Sequence, residues 1–293
     1  MRAAPSARAV TTEAVRARRA PVALLAVYVI EALVAWVLAA PWIEAIASIM
    51  GQHPDGDRAL WWQRGHMLLV DVVMRNGALL GAIARGTFIA LAAWYVIGLL
   101  PLGALLAALS DDERFSLRRA SARAGELFGR LALLQFLSAL SSVVTLGLVG
   151  VIPSMLVRNQ MAHLLPRTTF IAMIVPYALA LLVLLFLWAF FDLSRALVAR
   201  HNVTAMRACV LSARAPRAVL SLMAIATPRW VASLGMIGFG AAAASGSSSI
   251  ALVALAHQAV AFARIALRAS VLSRALRIAD SVIDTPLGAD EQP

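Results

Sequence analysis

The sequence predicts an all-α, polytopic membrane helical bundle: six transmembrane helices, with an amphipathic interfacial or re-entrant helix at about residues 66–83. Three observations carry this. Hydrophobic residues fill 61% of the 293 positions and charged ones 14%, with a mean hydropathy of +0.83; soluble domains are nearer to half apolar and a quarter charged. The apolar runs are spread along the chain with no long polar block between them. All 26 basic residues are arginine, and most of them flank the apolar runs, which is how topology, rather than nucleic-acid binding, distributes positive charge. A net charge of +11 then points to anionic lipid head groups as partners and not to nucleic acid.

Taken in order, residues 1–20 form a basic tail with five arginines against Glu13. The membrane domain covers 21–279. Its first span, about 22–49, opens after Pro21 and contains Pro41. The run continues past the Ala-Ala-Pro41 site and carries Glu31, which argues against a cleaved signal peptide. Glu31 falls near mid-membrane, where an acid costs about 2.5–3.5 kcal/mol on insertion scales, so a partner is expected.

Residues 51–86 are apolar enough to suggest a further span. His53-Pro-Asp-Gly-Asp57 reads as a turn, Trp61-Trp62 suits an interface, and Asp71, Arg75 and Asn76 interrupt the run. Asp71 and Arg75 are four apart, one helical turn, and can pair. Arginine counting decides the matter. With 66–83 not crossing, the inner segments hold nineteen arginines and the outer ones six, with Arg229 inside a span; making it a span moves fourteen to the wrong side. Both termini are then cytoplasmic.

The second span is about 87–109. Ser110-Asp-Asp-Glu113 has the form of a capping box and predicts a cytoplasmic helix starting there. The third span, about 128–152, carries Gln135 and a serine patch suited to close helix packing, and Pro153 begins the second outer loop. The fourth span, about 168–191, is closed by Asp192-Leu-Ser-Arg195. Residues 204–215 predict an amphipathic surface helix with Met206, Val210 and Leu211 on one side. The fifth span, about 218–244, is interrupted by Pro228-Arg229-Trp230, and a tight turn leads into the sixth, about 249–267, with His257 and Gln258. Residues 280–293 are a polar, disordered tail.

The usual catalytic signatures are missing: no HExxH, phosphate-binding glycine loop, dinucleotide fingerprint or GxSxG occurs. The five histidines fall in separate segments, and Cys209 stands alone, so no metal or other cofactor is predicted. Seven residues remain as intramembrane polar candidates. Glu31 and Arg229 form a candidate pair or substrate-binding site; Asp71, Arg75, Gln135, His257 and Gln258 are candidate structural polar groups that hold helices in register.

At Asp192-Leu-Ser-Arg195 with Val203-Thr-Ala-Met-Arg207, at Glu31, at the turn of residues 53–57, and at Gln258 with Ala263-Arg264, the chain resembles uncharacterised bacterial six-helix inner-membrane proteins. More loosely, it is similar to the non-catalytic membrane domain of some glycerophosphodiester phosphodiesterases. The resemblance implies six helices in a bacterial inner membrane and brings no catalytic residues. The expected role is a non-enzymatic scaffold or accessory subunit of a membrane complex, with a membrane-protein or ATPase partner. The alternative is a small permease built on Glu31 and Arg229. A third reading, a lipid-modifying enzyme using His53, Asp55, Asp57 and His66, ranks last.

Overall fold

A computed structural model describes residues 21–50, 74–110, 116–160, 166–246 and 250–284. They form α1 (Pro21–Met50), α2 (Gly77–Ile97), α3 (Leu99–Ser110), α4 (Leu117–Thr145), a π-helical stretch (Leu146–Val151), α5 (Ile152–Gln160), α6 (Pro166–His201), α7 (Ala205–Arg214), α8 (Pro216–Gly246) and α9 (Ile250–Asp284). Every regular element among the described residues is helical. Six stretches are long and apolar enough to cross a bilayer: 21–49, 77–110, 117–160, 172–201, 216–240 and 252–283. The chain is an all-α, multi-pass membrane bundle.

The helices overreach the bilayer. A hydrocarbon core of about 30 Å needs about 20 helical residues, whereas α6 has 36 and α9 has 35. The overhang continues as helix because its apolar residues keep helical spacing. In α9, Ile265, Ala269, Leu272, Leu276 and Ala279 recur every three or four residues and are all buried, giving one continuous inward stripe.

Two compact units are distinguished, residues 26–99 and a larger one containing residues 100–293. In the first, the Trp42 indole donates to Thr87 Oγ1 at 2.8 Å, tying α1 to α2. Gly98 follows α2 because a Cβ there would lie 2.8 Å from the Trp94 carbonyl oxygen.

The larger unit holds the tight core. Leu106, Leu131, Leu193, Leu197, Leu222 and Leu272, from α3, α4, α6, α8 and α9, are all fully buried, each stabilising the fold by about 1.5–3 kcal/mol. Elsewhere the same helices present large apolar side chains outward, Phe136, Val175, Leu234 and Phe239 among them. Only 11–22% of the most apolar window in each span is buried, so most of that surface is left for lipid or other helices.

Several boundaries differ from the sequence expectation. Residues 66–73 lie outside the described residues, but 77–83 belong to α2, which runs unbroken through Gly86; the second span's helix therefore starts at Gly77 rather than Thr87. Ser110 ends α3 instead of opening a helix. Its hydroxyl donates back to the Ala107 carbonyl, and the next helix begins after Ser116.

Pro153 does not terminate the third span. It sits in the first turn of α5, just after the π-helical stretch; the wider turn makes room for the proline ring and its missing N–H. Asp192 and Arg195 do not close α6, which continues to His201. α9 continues to Asp284, so 280–284 is helix and not tail; residues 285–293 lie outside the described residues. Finally, α7 is capped by Thr204, whose Oγ1 accepts from the Arg207 N–H. It buries Ala205, Ala208, Leu211 and Ser212 while exposing Met206 and Val210, so Leu211 faces the protein rather than joining those two.

Candidate functional site: a buried charge cluster

The densest polar arrangement in the larger unit is centred on Asp192. This carboxylate occupies α6 within Phe-Phe-Asp-Leu-Ser-Arg-Ala-Leu-Val and its side chain is 1% exposed. A lone ion there would be strongly unfavourable. Helical spacing supplies the first partner: Arg195, three residues on, donates from Nη1 to Asp192 Oδ1 at 2.8 Å. Arg268 of α9 supplies the second, with Nη2 donating to Oδ1 at 2.6 Å and Nη1 to Oδ2. This two-pronged geometry is the strong form of guanidinium–carboxylate pairing.

Arg195 also donates from Nη2 to Gln135 Oε1 of α4 at 2.7 Å. One carboxylate, two guanidiniums and one amide thus join α4, α6 and α9. Beside them, the Ser194 hydroxyl donates to the Phe190 carbonyl and lies 2.9 Å from the Ser212 hydroxyl of α7, which ties α7 to α6.

A second polar group surrounds the C-terminus of α6. Asn202 takes a left-handed conformation, φ 53°, the usual way to end a helix. The carbonyls there carry the negative end of the helix dipole, and arginines of α4 cover them. Arg123 Nη2 donates to the Ala199 carbonyl at 3.2 Å, and Arg130 Nη1 to the Asn202 carbonyl at 2.9 Å and to its side-chain oxygen. Arg200 reaches Asp280 of α9 at 3.1 Å and the Ser110 carbonyl of α3, while His201 Nε2 lies 3.2 Å from the same Asp280 oxygen.

Of the seven candidate polar residues named from sequence, Gln135 joins the central cluster. Arg229 donates to the Ile225 carbonyl of its own helix at 2.6 Å. Glu31 lies on the exposed face of α1 in the smaller unit. Arg75 is exposed near the start of α2, and Asp71 is outside the described residues, as are His53, Asp55, Asp57 and His66. His257 and Gln258 are exposed on α9, with His257 Nδ1 2.9 Å from the Val253 carbonyl.

Sequence reasoning passed over Asp192, Arg195 and Arg268 because charges after an apolar run ordinarily mark the membrane edge. The signal was present in Ala196-Leu-Val-Ala199, which resumes the apolar run after Arg195. An acid and a base one turn apart, with apolar residues on both sides, are a buried pair in the making.

No known protein-family model, curated protein sequence or solved structure matches the chain. The chemistry of the cluster has to be read from its geometry. All three hydrogen bonds to Asp192 come from two permanently charged guanidiniums, and both of its oxygens accept. Such a carboxylate is poorly placed to take up a proton or bind a cation. Among the described residues no group of three or more His, Cys, Asp or Glu side chains is arranged to hold a metal ion. Burial pushes the Cys209 thiol above its ordinary range, against a smaller pull from its hydrogen bond to Ser194, so it is not an activated nucleophile.

Proposed function

We propose that this chain is a non-enzymatic integral-membrane protein, a scaffold or accessory subunit of a larger membrane complex, in a bacterial inner membrane with both termini cytoplasmic. The observation that carries this reading is the saturation of Asp192. The most deeply buried charge spends its hydrogen-bonding capacity on two arginines of its own bundle, which suits a lock between helices better than a reactive centre. The outward apolar faces of α4, α6 and α8 suit association with lipid and with a membrane-protein partner, an ATPase subunit being one class. The arginine-rich overhangs favour the cytoplasmic side by the positive-inside rule. The permease reading needs Glu31 and Arg229 to act together, and the hydrogen bond Arg229 makes to the Ile225 carbonyl is within its own helix.

Reconstitution tests the proposal. The purified full chain in proteoliposomes should leave entrapped solutes in place and the lipid chemically unchanged. A photo-crosslinker at Leu234 or Phe239 should, in native membranes, yield a discrete adduct with a second membrane protein. Solute flux or lipid turnover by the chain alone would overturn the reading.

A further inference from the structure

We propose that the groove between α8 and α9 is a binding site for the head group of an anionic phospholipid, held by Arg229 and Arg274. The inference rests on the membrane-protein reading above and adds a specific ligand site to it. The groove is open to the surroundings and has a volume of about 600 Å³. Its floor is apolar, with Ile225, Pro228 and Leu267, and its charged groups are two guanidiniums, one from each helix. No carboxylate is among the described residues that line it.

Helical spacing makes the site. Ile225 and Arg229 are four residues apart on α8, and Leu267 and Arg274 are seven apart on α9, so each pair shares a helix face. The antiparallel hairpin of α8 and α9 brings these faces together; a further seam contact, Arg264 Nε to Ser233 Oγ at 3.1 Å, fixes the register. Pro228 lacks a backbone N–H, so the carbonyl of Ala224, four residues earlier and also in the lining, loses its helical donor. The Arg229 side chain folds back to the Ile225 carbonyl, toward the helix N-terminus and the arginine-rich end of the bundle. This is the direction in which an intramembrane arginine reaches the interface.

Charge complementarity selects the occupant. Two cations over an apolar floor fit a phosphate that carries hydrocarbon. Ala224 and Ala232 of α8, which share the face of Ile225 and Arg229, extend the apolar lining along the groove, where an acyl chain would lie. Free inorganic phosphate shares the head-group chemistry but gains nothing from that floor.

The test uses the purified full-length chain in zwitterionic nanodiscs titrated with phosphatidylglycerol, with bound lipid read by native mass spectrometry. Arg229→Gln with Arg274→Gln should weaken retention of phosphatidylglycerol by about tenfold or more, the effect expected for two lost cation-to-anion contacts. Arg229→Lys with Arg274→Lys should retain most of it. Arg207→Gln with Arg214→Gln, exposed on α7, removes the same charge elsewhere and should leave retention near the parent value. Protection of Cys209 from alkylation reports folding of each variant. Equal losses in the two Gln pairs, no loss in either, or millimolar inorganic phosphate displacing the lipid would each overturn the proposal. None of these outcomes bears on flux or turnover, so the scaffold reading stands or falls separately.

Discussion

Replacing Asp192 by asparagine is the sharpest perturbation the structure offers. Asparagine keeps the shape, removes the charge and turns an amide N–H₂ toward guanidiniums that can only donate. Three charge-assisted hydrogen bonds converge on the carboxylate. Breaking one partner of a buried ion pair costs about 3–5 kcal/mol. The Arg268 side chain is 36% exposed and water can take it back, whereas Arg195 at 7% remains enclosed; the lower end, about 3 kcal/mol, is therefore expected. That is about a hundredfold in the ratio of folded to unfolded protein. Cys209, the only cysteine, provides the assay, because its alkylation in detergent reports opening of the α6–α7 region. Arg268→Gln combined with Asp192→Asn should cost less than the sum of the single variants, since the two changes remove the same contacts. A stability for Asp192→Asn within about 0.5 kcal/mol of the parent, the range of ordinary surface changes, would refute the lock.

Three more outcomes follow from local geometry. Asn202→Val should destabilise by about 1–2 kcal/mol, because a β-branched residue tolerates the left-handed conformation far less well than asparagine, while Asn202→Gly should be milder; thermal unfolding of the two checks this. Gly103→Leu should lower the unfolding temperature, because a Cβ at that position already sits 3.3 Å from the Ala124 backbone and overpacking costs about 1–3 kcal/mol. Cys209 should alkylate slowly in the native protein at neutral pH, since burial raises its thiol and the thiolate is the reactive form. The rate should climb with pH above the ordinary thiol range and jump on unfolding; fast native labelling at pH 7 would contradict the burial.

The spans were legible because apolar composition and helical length are local properties. Their ends were less so. Pro153 looks like a stop in sequence, yet a π-helical turn upstream accommodates it. The polar residues show the same division. Gln135 stood out as an amide inside an apolar run and does take part in the cluster. Asp192 finds Arg268 across 76 residues, a pairing no local pattern contains, and its charge made it look like the edge of a span. Arg229 was visible for the same reason as Gln135; a partner from another helix depends on tertiary arrangement, which no local pattern holds, and its hydrogen bond to the Ile225 carbonyl is to its own helix.

Sidedness carries the most weight, because the scaffold reading and the lipid site both place the arginine-rich overhangs at the inner leaflet. With Cys209 replaced by alanine, single cysteines at Arg58 and Gln160 should label in intact cells with a membrane-impermeant maleimide, and a cysteine at Arg207 should label only after the membrane is opened. Labelling of position 160 from the cytoplasmic side, with position 207 reached from outside, would contradict the topology and the assignments built on it.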